Sequence, residues 1–108
     1  MSNEVHDLPW VLGQSTESAL NHIIGEGGAK VTFFHLKLGE CMDDARETDR
    51  RLASMFKMGT PVLEKAIVKE LQARAGVPEN EQPAFNFVDS VERVRRVMAA
   101  RAARGNQR

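Results

Sequence analysis

The sequence predicts an all-α protein, a small bundle of four to five helices forming a single domain over residues 1–108. Apolar residues recur at alternating steps of three and four from Val31 to Met55, at helical spacing from Leu63 to Leu71, and at steps of four, three, four and four from Phe87 to Ala102. That spacing keeps side chains on one face of a helix. Glycine and proline gather between these stretches, at 25–28, 59–61 and 76–78, where they end helices rather than interrupt them. Only 31–36 has the β-branched and aromatic character of a strand, and its sole pairing candidates are 84–88 or a second copy of itself.

Residues 1–7 are expected to be frayed. Leu8-Pro9-Trp10-Val11-Leu12 reads as a short apolar clasp capped by Asp7, with Pro9 in its first turn. Trp10, the only tryptophan, is expected to cover one end of the core. Ser15 is expected to begin the first full helix, because its hydroxyl can accept from an unpaired N–H and Glu17 suits the positive helix end. Ala19, Leu20, Ile23 and Ile24 form its apolar stripe, and Gly25, Gly27 and Gly28 close it.

The stretch 31–58 is expected to be one long central helix, about 42 Å at roughly 1.5 Å per residue. Val31, Phe34, Leu38, Cys41, Ala45, Thr48, Leu52 and Met55 form its seam, which passes through Gly39 without losing register. That continuity favours helix over strand for 31–38. Glu47 is placed to pair with Arg51 one turn on. Gly59, Thr60 and Pro61 then supply a stop, a cap and a first position. The next helix, 61–75, faces inward with Leu63, Ala66, Ile67 and Leu71, and pairs Glu70 with Arg74 on its surface. The short turn makes it the antiparallel αα-hairpin partner of the central helix. Gly76 and Pro78 stop it, and Pro78 to Pro83 is a polar loop. Asn86 caps the last helix, whose stripe is Phe87, Val91, Val94, Met98 and Ala102. A basic tail, 105–108, is expected to be disordered.

Acids and bases balance at 15 each, so the molecule as a whole has no net pull on nucleic acid or an anionic membrane. The distribution is uneven. Residues 1–29 carry Glu4, Asp7, Glu17 and Glu26 and no base, whereas residues 93–108 carry only arginine charge. The start lacks the basic and apolar regions of a secretory signal, and no run is apolar enough to span a bilayer. With Cys41 as the only cysteine there is no intramolecular disulfide, and the expected compartment is the cytoplasm.

No catalytic, cofactor or metal centre is expected. Glu40, Asp43, Asp44 and Glu47 lack the E-x-x-H pairs of bundle di-metal sites and read as a solvated face beside Arg46, Arg50 and Arg51. Cys41 and His35, six residues apart, fall on opposite sides of a helix and cannot form a thiolate–imidazole pair. The glycines at 25, 27 and 28 lack phosphate-loop spacing.

The candidate binding residues are Arg93, Arg96, Arg101, Arg104 and Arg108, which fall within roughly 140° of one another on a helical wheel. Asp89 and Glu92 are placed to neutralise Arg93 and Arg96 in part, whereas Arg101, Arg104 and Arg108 have no acid one turn away. Such a face suits phosphates or an acidic partner, and it equally suits a plain soluble helix end of Ala and Arg. No aromatic residue is interleaved, which argues against single-stranded nucleic acid.

The functional expectation is a non-enzymatic interaction or regulatory protein that acts through protein–protein contacts as a homo-oligomer. The long apolar seam exceeds what so short a chain can cover. The alternative is a nucleic-acid-binding regulator. It would use the arginine helix or, with 31–38 as a strand, a ribbon-helix-helix-like dimer laid in the major groove.

Overall fold

A computed structural model describes residues 7–79 and 84–105. The fraying expected of 1–6, most of the 78–83 loop and the tail with Arg108 lie outside the described residues. Among those described, every regular element is helical: α1 (Leu8–His35), α2 (Ala45–Phe56), α3 (Thr60–Ala75) and α4 (Phe87–Gly105), with single 3-10 turns at Leu38–Glu40 and Lys57–Gly59. The protein is all-α, and the strand weighed for 31–38 does not form. α4 runs through Gly105, one residue into the expected tail.

α1 begins earlier than expected. Asp7 is its N-cap, accepting from the Trp10 N–H at 3.2 Å, so neither fraying at this residue nor a separate clasp is seen. Trp10 itself is half exposed. Ser15 is not a cap. It lies in mid-helix, fully buried, with its hydroxyl donating to the Val11 carbonyl at 2.8 Å. That back-bond satisfies a small polar side chain inside the helix, so Ser15 joins Leu8, Val11, Leu12, Thr16, Ala19 and Leu20 on the buried face. Gly25 does break the helix, at φ 86 and ψ 162, a conformation open essentially only to glycine. It divides α1 into segments 8–24 and 26–35.

The single central helix over 31–58 is not formed. α1 stops at His35, and Lys37 takes the left-handed conformation at φ 53 and ψ 44. The carbonyls of Leu36 and Lys37 accept from the Arg51 guanidinium at 3.1 and 2.8 Å, and that of Lys37 also accepts from the Glu40 N–H. α2 then has its own start, with the Asp44 carboxylate accepting from the Glu47 N–H at 3.1 Å. The seam misled because two pieces happen to keep register. Leu38, Cys41, Ala45, Thr48 and Leu52 are indeed buried, but Val31, Phe34 and Met55 are 67%, 86% and 46% exposed.

Nor is the central αα-hairpin found. Lys57, at φ 55 and ψ −125, ends α2 and redirects the chain. Thr60 does not cap by accepting; its hydroxyl donates to the Lys57 carbonyl at 2.6 Å. α2 packs mainly on α4, while α3 packs extensively on α1 and also on α4. The organising element is therefore α3, which buries Leu63, Ile67, Val68 and Leu71. Its end is as expected. Gly76 is left-handed, its N–H donates to the Ala73 carbonyl, and the Val77 N–H donates to the Gln72 carbonyl at 2.8 Å. Asn86 caps α4, accepting from the Asp89 N–H at 2.9 Å, and Phe87, Val91 and Val94 enter the core.

Candidate interaction surface

The arginines of α4 are the candidate binders, and the structure disperses them. Arg101 is not unpaired. Its guanidinium donates to the carbonyls of Ala75 and Gly76, which end α3. A helix C-terminus exposes unsatisfied carbonyls and partial negative charge, and a cation placed there satisfies both. Arg93 donates to the Pro78 carbonyl at 3.0 Å. Glu92 pairs with Arg95 rather than with Arg96, and Arg95 also reaches the Asp43 carbonyl. Arg96 and Arg104 remain exposed, without a hydrogen bond or ion pair among the described residues. A face expected to grip a partner thus spends Arg93 and Arg101 on the chain's own turn after α3. Sequence separations of 15 and 25 residues hide such contacts from any rule about one helical turn.

The acidic group at 40–47 is likewise structural. Asp44 caps α2, and Glu47 accepts from both Arg50 and Arg51. Those guanidinium hydrogen bonds hold the Glu47 carboxyl down to about 2. Beside them Cys41 is buried, and the Thr48 hydroxyl lies within donating reach of its carbonyl at 2.8 Å and its sulfur at 3.4 Å. His35 is exposed at the end of α1.

The apolar surface is where the molecule departs most from a self-sufficient domain. Segment 26–35 turns Ala29 and Thr32 inward and leaves Val31 and Phe34 outward. With Phe33, His35, Lys37, Gly39 and Glu40 they line a shallow groove that is mainly apolar. Before it, every residue from 21 to 28 is exposed, including Ile23 and Ile24. Met58 and Val62, at the start of α3, are 95% and 70% exposed. Isolated surface leucines need no explanation, whereas a phenylalanine this bare on the same segment as a bare valine leaves apolar area in water.

No family model, no curated protein and no solved structure matches this chain.

One group was missed in the sequence altogether. Glu64 is 5% exposed, and its Oε2 has no hydrogen-bond partner. Burial, then the hydrogen bond and charge of Asp49, push its carboxyl up to about 9. Glu64 therefore keeps its proton at neutral pH. Arg46, Lys65 and Asp89 line the same cleft between α2, α3 and α4. The signal was available: Thr60, Glu64, Ile67 and Leu71 follow at steps of four, three and four, which puts the acid on the buried stripe of α3.

Proposed function

We propose that this protein is a non-enzymatic interaction protein, regulatory in role, whose protein–protein contacts begin with its own self-association. The observation that supports this is the outward placement of Val31 and Phe34 on segment 26–35, with Ile23 and Ile24 also exposed before the bend. Together these side chains offer an apolar area that water solvates poorly and a partner surface would cover. The buried, lone thiol of Cys41 suits the cytoplasm, where thiols stay reduced. No helix among the described residues is long and apolar enough to cross a membrane. Sedimentation velocity across the micromolar range tests the proposal. A rise in sedimentation coefficient with concentration is expected, lost in Phe34→Ser; a concentration-independent monomer overturns it.

The second proposal, a nucleic-acid-binding regulator, is supported by Arg96 and Arg104, which stay exposed on α4. It predicts weak, salt-sensitive duplex binding removed by Arg96→Ala with Arg104→Ala. Its ribbon-helix-helix form has lost its element, because 31–35 is helical.

A further inference from the structure

We infer that the occupant of the 26–35 face is the same segment of a second copy, running antiparallel and crossing near Gly28. Glu26 of each copy then pairs with Lys30 of the other. This rests on the self-association proposed above and adds the surface, the direction and the register.

The face is built in two unlike halves. On a helical wheel at about 100° per residue, Gly27, Val31 and Phe34 lie opposite the buried Ala29 and Thr32. On the stripe the first half is bare at Gly27, where an added Cβ would meet nothing within 4 Å, while Gly28, to one side, lies under the Ile24 side chain. The second half carries the bulk of Val31 and Phe34. Laid parallel, two such helices set bulk against bulk and leave a gap over the glycines. Laid antiparallel, the bulky half of each covers the bare half of the other. Glycine lets the two backbones approach closely enough for that contact.

The charges select the same direction independently. Glu26 and Lys30 are both exposed and flank the stripe on one side. They stand four apart in the order that favours an intrahelical pair, yet neither joins an ion pair among the described residues. In an antiparallel helix pair, like flanks face each other. Centred on residue 28, Glu26 of one copy meets Lys30 of the other, and two-fold symmetry repeats the contact. A parallel pair would set each such flank against the opposite flank of the partner and leave Glu26 and Lys30 without each other. The bend at Gly25 helps, since the exposed 21–28 stretch stands clear of the rest of the molecule.

The test is a charge exchange read by sedimentation velocity, with circular dichroism confirming each fold. Glu26→Lys alone puts two lysines against each other in the homodimer, and Lys30→Glu alone puts two glutamates together. Each is expected to weaken self-association by roughly tenfold or more. Mixing the two variants restores both contacts across the interface, so the mixture associates where neither component does. The double variant E26K/K30E regains its homodimer; because it also restores a pair within the helix, the mixture is the arm that discriminates. A purely intrahelical role for the pair predicts no rescue on mixing, because neither chain in the mixture has an opposite-charge pair of its own. If the wild-type protein associates and mixing rescues nothing, the interface is elsewhere and only this inference fails. A wild-type protein that stays monomeric removes the self-association proposal as well.

Discussion

The Arg101 guanidinium donates to the Ala75 carbonyl at 2.5 Å, so the last helix caps the one before it. The same device serves α1, where Arg51 from α2 holds the carbonyls of Leu36 and Lys37. In both places the helix cannot satisfy its own terminal carbonyls, and a planar cation with several donors can take two at once. The two contacts couple neighbouring elements at the points where the chain turns.

Arg101→Ala is expected to destabilise the fold by about 1 kcal/mol, the usual net worth of such hydrogen bonds at an exposed position. Arg104→Ala, on the same helix and unpartnered, is expected to stay within about 0.5 kcal/mol of wild type. Thermal unfolding followed by circular dichroism distinguishes them. Equal effects would show that arginine charge as such, not the cap on α3, matters at this end of α4.

Gly25 and Gly27 are expected to respond in opposite directions. Gly25→Ala forces a side chain into positive φ and is expected to cost about 1–3 kcal/mol. Gly27→Ala replaces glycine with the best helix former in open space and is expected to stabilise the monomer by up to about 1 kcal/mol. Urea unfolding at concentrations below association measures both. The Gly27→Ala protein is also expected to self-associate less, because its new methyl holds the copies apart.

Glu64 sets an alkaline dependence. Its folded carboxyl lies near 9 against an ordinary 4.5, so the folded state holds its proton more tightly than the unfolded chain does. That contribution is fully present below about 4.5 and is lost as pH rises toward 9. Glu64→Gln keeps the shape and a donor toward Asp49 but cannot ionise. Its unfolding midpoint is expected to match wild type near pH 4 and to exceed it at pH 8. A wild-type midpoint that is flat across this window would contradict the assignment.

Glu47 sets the acid dependence, with the opposite sign. Its carboxyl is held near 2 by Arg50 and Arg51, so its contribution is present above about 4.5 and fades as pH falls through 2. Glu47→Gln is expected to flatten the acid limb of stability. It should also loosen Arg51, seen as faster hydrogen exchange at the end of α1.

The sequence by itself determined the helical class, the buried first part of the α4 stripe (Phe87, Val91 and Val94, though not the exposed Ala102), the Gly76 stop, the Asn86 cap and the pairs Glu47–Arg51 and Glu70–Arg74. All of these depend on residues within a turn or two of each other, where spacing, φ preference and a short side chain suffice. It did not determine where one helix became two. The 31–58 seam kept its period across a break, joining the outward Val31 and Phe34 to the inward Leu38, Cys41, Ala45, Thr48 and Leu52, because apolar spacing does not tell an exposed stripe from a buried one. It did not show that Ser15 bonds back into its own helix, or that Glu64 loses its charge on the buried stripe. Above all, it did not show which arginines were free. Arg93 and Arg101 found carbonyls far along the chain, and only the packing of α3 against α4 brought those carbonyls within reach. Local chemistry wrote the elements, whereas long-range packing decided which charges and which apolar side chains stayed at the surface.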